Sequence, residues 1–284
     1  MQIELIETTD PEIRAAIVAP LITHTLEQTG REDKGLDLAA FLRDPAGQVI
    51  GGLSGRLWMG WFKLKLAYLP QAARKSGLGR NLLAALEAEC RSHGAVGSWT
   101  TSFTFQAPSF YEKQGYTRIG VLHDHPPGHA TVFLAKHLTD RPAPPGIEIT
   151  LDPSPEDITA SSAGLQDYNV GFAGPRDGRP LVILVRHEDG GILGGLWGET
   201  ARGWLFVELL GLPAELRGAR LGSRLMDMAE QEARNRGCFA VHLDTFSFQA
   251  RPFYEKRGFS MFAQIDGYPT GHARHFLSKR LDQA

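Results

Sequence analysis

The chain repeats itself once, and that repeat constrains its fold more than any other feature. Trp61 and Trp204 lie 143 residues apart, and the same offset aligns the stretch from about Asp37 to Leu138 with the second half without a gap. Gly51-Gly52-Leu53-Ser54-Gly55 matches Gly194-Gly195-Leu196-Trp197-Gly198, and Phe103-Thr104-Phe105-Gln106-Ala107 matches Phe246-Ser247-Phe248-Gln249-Ala250. Phe110-Tyr111-Glu112-Lys113 before Gly115 recurs as Phe253-Tyr254-Glu255-Lys256 before Gly258. A period this long is a whole domain, not a solenoid unit, and a half of about 140 residues can bury its own core. Pro142, Pro144 and Pro145 crowd the junction, where neither helix nor sheet can continue. The division expected is 1–140, a linker 141–146, and 147–284, with the two domains side by side.

Within each half, strand and helix periods alternate. Phe62, Leu64 and Leu66 alternate with Lys63 and Lys65, a strand pattern over Trp61–Leu69. Leu82, Leu83, Leu86 and Cys90 share one helical face, which His93-Gly94 ends. Strands are also expected at 2–7, 36–42, 49–58, 96–102, 116–122 and 129–136, and helices at 11–28 and 106–113. Pro20 marks an expected break in the first helix. Hairpins with few crossovers argue for an α/β fold, a mixed sheet flanked by helices, in each half.

Composition removes several classes. Hydrophobic residues make up 42% and charged residues 22%, with a net charge of −2, so no nucleic-acid groove or membrane surface is implied. Two scattered cysteines, Cys90 and Cys238, form no disulfide framework. The N-terminus lacks the apolar stretch of a signal peptide, and a soluble, cytoplasmic protein is expected. His123, His125 and His129 resemble a metal cluster. Their counterparts Asp266, Tyr268 and His272 do not keep the set, so no metal is expected.

After each Trp-led strand comes a basic, glycine-bearing turn into a helix: Arg74, Lys75, Ser76, Gly77, Leu78, Gly79 and Arg80 in the first half. Arg217, Gly218, Ala219, Arg220, Leu221, Gly222 and Ser223 form the second. Converging N–H groups, the positive end of the helix dipole and a glycine's open backbone suit a phosphate. Neither loop is a Walker A or dinucleotide motif. An Arg-x-x-Gly-x-Gly loop followed by Phe-Tyr-Glu-Lys-x-Gly-aromatic resembles the GNAT superfamily of acyl-CoA-dependent N-acetyltransferases, and the resemblance covers nearly all of both halves. It implies that acetyl-CoA is the cofactor and that both loops hold its pyrophosphate. Arg220 stands at the middle glycine position: it weakens the second loop if that position needs positive φ, or adds a phosphate contact if it does not.

Acyl transfer from a thioester to an amine needs a neutral amine, an oxyanion donor and a proton for the leaving thiolate. The resemblance gives the last role to Tyr111 and Tyr254; otherwise these are amphipathic core aromatics. It gives the base to a glutamate on the strand before the loop, which is Glu208 in the second half but Lys65 in the first. A salt bridge with a nearby arginine is the competing role for Glu208. Asp244 likewise faces Thr101 across the repeat. His129 and His272 border the expected acceptor site, as pocket residues or as caps on their turns. The expectation is an N-acetyltransferase acting on an amine by direct attack, with chemistry in the second half through Glu208 and Tyr254. The alternatives are an active first half, or an acyl-CoA-binding sensor without turnover. A small-molecule or peptide amine is the expected partner, and the duplication is expected to build a pseudo-dimer in one chain, as a monomer or a homodimer.

Overall fold

The computed structural model describes residues 1–282. In chain order the first half runs β1 (Gln2–Ile6), α1 (Pro11–Thr29), β2 (Leu36–Arg43), β3 (Val49–Trp58), β4 (Trp61–Tyr68), α2 (Leu78–Ser92), β5 (Gly97–Phe103), α3 (Pro108–Lys113), β6 (Thr117–His123) and β7 (Ala130–His137). The second runs β8 (Thr150–Leu151), α4 (Pro155–Ala173), β9 (Arg179–Arg186), β10 (Ile192–Ala201), β11 (Trp204–Gly211), α5 (Leu221–Asn235), β12 (Ala240–Phe246), α6 (Arg251–Glu255), β13 (Ser260–Asp266) and β14 (Ala273–Arg280).

The strands assemble into two seven-stranded mixed sheets, β6-β7-β5-β4-β3-β2-β8 and β1-β9-β10-β11-β12-β14-β13. Each sheet therefore takes its edge strand from the other half. β1 pairs with β9 from Gln2↔Arg186 to Ile6↔Val182, and β8 pairs with β2. The following helix goes with its strand. Ile17 of α1 packs in a core with Val182, Leu184 and Trp197, while α4 sits over β3 and β4. The division in space thus differs from the expected division at 140/147. Each spatial unit is completed by the first strand and helix of its neighbour.

The expected break at Pro20 does not occur. Asp10 caps α1, its carboxylate accepting from the Glu12 N–H at 2.8 Å, and Gly30 closes it in the left-handed conformation. Tertiary burial of Ile17 outweighs the hydrogen bond that proline forfeits.

On one face of each sheet lies the helix that follows the glycine loop. Leu82, Leu83, Leu86 and Cys90 of α2 meet Leu38, Phe62, Leu64 and Leu134; Leu225, Met226, Ala229 and Ala233 of α5 meet Ile183, Leu205, Val207 and Leu243. The opposite faces meet each other across an aromatic layer of Trp61, Trp99 and Phe133 with Trp204, Phe246, Tyr268 and Phe276. Its contacts follow a pseudo-twofold: Trp61 Nε1 donates to Gly267 O at 2.8 Å, and Trp204 Nε1 donates to Asp124 O at 2.7 Å. Gly120 abuts Ala263, its own counterpart in the repeat, and a Cβ at 120 would collide with it. Such self-complementary contact is that of an isologous dimer, here contained in one chain.

Candidate functional site

Both glycine loops share one backbone course. A 3₁₀ turn (Gln71–Ala73, and Ala214–Leu216) leads into two left-handed residues and then the helix. In the first loop these are Lys75 (φ 64°) and Gly77 (φ 86°); in the second, Gly218 (φ 81°) and Arg220 (φ 58°). Each loop has one glycine for two positions that favour it, but at opposite places. Arg220 adopts the required conformation and carries its strain, about 1–2 kcal/mol. In the first loop Ser76 Oγ accepts from the Leu78 N–H at 3.3 Å, and helix geometry leaves the following N–H groups without intrahelical acceptors. A Cβ built on Gly77 would have only Arg80 Nη2, 3.8 Å off, within 4 Å, so the space above this backbone is open. An anionic pyrophosphate fits that cradle: free N–H donors, a helix start and the cations Arg74, Lys75 and Arg80.

The strand ahead of each loop carries a bulge. Ser54 pairs with Leu66 and Gly55 with Leu64, which leaves Lys65 as the extra residue; Trp197 pairs with Leu209 and Gly198 with Val207, which leaves Glu208. Beyond the bulge the parallel partner departs. β4 and β5 pair only from Trp61↔Gly97 to Leu64↔Thr100, and β11 and β12 only from Trp204↔Ala240 to Val207↔Leu243. Splaying two parallel strands opens a wedge, and the bulge aims its unpaired residue beside that wedge.

In the first half the wedge and cradle join in one cleft of about 710 Å³, running from Arg74, Gly77 and Arg80 past Lys65 and Thr101 to Tyr111. Tyr111 lies on α3 at 7% exposure, in contact with Tyr116 and Phe110. Burial pushes its hydroxyl up to about 12, offset in part by the Thr100 hydroxyl, so it stays protonated at neutral pH. The far wall comes from the second half: Leu165, Tyr168 and Asn169 of α4. Tyr168 Oη donates to Phe105 O at 2.8 Å, and Gln106 Nε2 donates to Asn169 Oδ1 at 2.7 Å, which fastens the borrowed helix to the rim. The Arg74 guanidinium lies 5.8 Å from the ring centres of both Tyr68 and Tyr168.

The second half engages the same positions internally. Glu208 forms an ion pair with Arg14, delivered by the exchanged helix α1. Asp244 accepts from Arg274 Nε at 2.8 Å and Nη2 at 2.7 Å, and that guanidinium is packed against Trp99, Phe246, Tyr268 and Phe276 in the interdomain layer. Tyr254 is as buried as Tyr111; burial, and after it the charge of Asp244, raises its hydroxyl further. His129 and His272 pack edge-on against Phe105 and Phe248, at 4.8 and 4.9 Å between ring centres. Both pack on the aromatic loops that border each wedge, and His272 Nδ1 also lies 3.4 Å from Ser247 Oγ.

The cleft residues that sequence reasoning missed, Tyr168, Asn169 and Leu165, lie in the other half of the chain. No spacing within one repeat could have connected them to it. Arg14 was likewise missed, although an arginine partner for Glu208 was expected as its alternative role.

Sequence families agree with this architecture. Residues 148–259 match the model of the acetyltransferase (GNAT) family, and residues 38–118 match that of the acetyltransferase (GNAT) domain. An acetyltransferase of Agrobacterium fabrum is 41% identical over 114 residues, which is 40% of this chain and 83% of that relative. Blasticidin-S acetyltransferase of Streptomyces morookaense is 41% identical over 109 residues, 37% of this chain and 80% of that relative. A crystal structure of an acetyltransferase from Agrobacterium tumefaciens aligns at 38% identity and a TM-score of 0.43, covering 45% of this chain and 93% of that one. The chain belongs to the GNAT family of acetyltransferases, as two GNAT domains in tandem, and its cofactor is acetyl-CoA. Among the described residues no helix is long and apolar enough to cross a membrane.

Proposed function

We propose that this protein transfers an acetyl group to an amine, and that the transfer takes place in the cleft of the first half. The observation that carries this reading is the continuity of that cleft, from the open cradle at Gly77 to the Tyr111 hydroxyl. Carboxylates in the second half argued for chemistry there. Arg274 holds Asp244 in the interdomain layer and Arg14 pairs with Glu208, so neither carboxylate is without a partner, and both weigh against that argument. When bound, acetyl-CoA supplies the acetyl group as a reactive thioester.

The roles of the chain's own groups follow from their positions. Gly77 to Arg80 and the cations of the loop hold the pyrophosphate. The splayed edges of β4 and β5 offer backbone N–H groups to the thioester carbonyl, as oxyanion donors. Tyr111 serves the leaving sulfur. With its hydroxyl at about 12 and an ordinary thiol near 8.5, full proton transfer from tyrosine is uphill; donation of a hydrogen bond to the developing thiolate is its contribution. Among the described residues no carboxylate lines this cleft, so the amine reacts as its neutral form. The surrounding positive charge favours that form, since like charge disfavours an ammonium.

A thiol-release assay with acetyl-CoA and an amine panel tests the reading. Tyr111→Phe is expected to lower kcat about 100-fold, while Tyr254→Phe stays within about threefold of the parent. The reverse pattern would move the chemistry to the second half. A second reading has one observation in its favour: the Arg220 loop keeps the cradle's backbone course, so the second half also binds acetyl-CoA, without turnover.

A further inference from the structure

The cleft of the first half is cationic along its whole length. Among the described residues no aspartate or glutamate lines it, whereas Lys65, Arg74, Lys75 and Arg80 do. Three of these four belong to the glycine loop, where a pyrophosphate accounts for them. Lys65 does not. It is the bulge residue of β4, beside the wedge where the acyl group must lie. Its side chain is 52% exposed, and its one ion-pair partner, Asp37, is 3.7 Å away and already engaged by Arg56. A loose, exposed pair of that kind holds its members weakly, so the Lys65 ammonium is available to a ligand. The equivalent backbone site in the second half carries the opposite charge, Glu208, paired with Arg14.

Resting on the acetyl-transfer reading above, we infer that the acceptor of the first cleft is an amine bearing its own carboxylate, as an α-amino acid does, with that carboxylate on Lys65 Nζ. The uncharged body of the acceptor lies against Tyr168 and Asn169 of the opposite wall and the Gln106 side-chain amide of the near rim. A polycationic amine meets four like charges and no counter-charge there. In the reaction the amine nitrogen bonds to the thioester carbonyl carbon as the C–S bond breaks, and the proton lost from nitrogen ends on sulfur. Amine and thioester become amide and thiol, with no further reactant consumed.

The test uses the full chain with saturating acetyl-CoA and measures free thiol. Acceptors are a set of L-amino acids, the carboxamide of each, and spermidine. Amino acids are expected to exceed their carboxamides about tenfold in kcat/KM, chiefly through KM, as a charge-assisted contact implies. Lys65→Met brings that ratio to about one, and Lys65→Glu inverts it. Preference of the parent for carboxamides or spermidine, or an unchanged ratio in Lys65→Met, overturns the acceptor class alone. Thiol release from none of the acceptors, with acetyl-CoA still bound, overturns the acetyl-transfer reading and the acceptor class together.

Discussion

The two halves made opposite choices where the last part of the central strand meets the borrowed helix. In the first, Tyr68 projects from β4 and fits against Gly164 of α4, where even a Cβ would collide with the tyrosine ring. In the second, the corresponding strand residue is Gly211, and the backbone of α1 descends onto it until Ile17 O leaves no room for a side chain. A tyrosine seated under a helix glycine and a strand glycine seated under the helix backbone are two complementary ways of docking the exchanged helix, α4 on β3 and β4 and α1 on β10 and β11. The same fold, with the same glycine loop and the same bulge, thus carries a tyrosine-under-glycine contact on one side and a glycine-under-backbone contact on the other. One residue's volume, matched by its complement 96 residues away in sequence, separates them.

Breaking the fit of Tyr68 against Gly164 gives the largest expected effect in this comparison. Gly164→Ala drives Tyr68 into the cleft or lifts α4, which costs about 1–3 kcal/mol in stability and is expected to lower kcat/KM at least tenfold, by steady-state assay and chemical denaturation. Gly211→Ala should cost similar stability and leave turnover unchanged. Equal losses of turnover from both substitutions would show that the two clefts are functionally alike.

The interdomain layer sharpens the comparison next. Lys63 projects into it, 4.7 Å from the Trp99 ring centre, where the repeat has Phe206. Burial, and after it the charge of Arg274, lowers its ammonium to about 8. The unfolded chain keeps that proton up to about 10.5, so stability rises with pH between 8 and 10.5, and the full penalty stands below 8. Lys63→Met is therefore expected to stabilise the protein by about 2 kcal/mol at pH 7, allowing for partial exposure, and the gain should fade toward pH 10.5. Thermal melts across that range check it; a gain independent of pH would assign the effect to packing instead of charge.

The smallest effect concerns the loops. Arg220→Gly relieves a left-handed arginine and should add up to about 1 kcal/mol of stability. If the side chain contacts the pyrophosphate, acetyl-CoA binding by calorimetry will weaken at the same time; if it only obstructs, binding will tighten.

Much of this molecule was legible in the chain, because its information is local or repeated. Alternation at Phe62 and Leu64 set the first part of β4, although the bulge at Lys65 hands the core face to Ala67 and leaves Leu66 to line the cleft; the face of Leu82, Leu83, Leu86 and Cys90 set α2, and the 143-residue register announced two copies of one fold. The loops and their tyrosines were readable for the same reason, since backbone course and motif sit within a few residues of each other. What no local pattern contained was which half each first strand and helix would join. β1 and β8 carry no mark of their partner sheet, because either sheet edge offers the same N–H and C=O groups, and only the closed tertiary arrangement selects between them. From that exchange follow Arg14 on Glu208, Tyr168 and Asn169 in the first cleft, and the contrast between Tyr68 and Gly211. The sequence by itself determined that there are two copies of one fold, each with a basic, glycine-bearing turn between a strand and a helix. Tertiary structure decided what lines each wedge, because side-chain volume and charge act between segments that meet only in three dimensions.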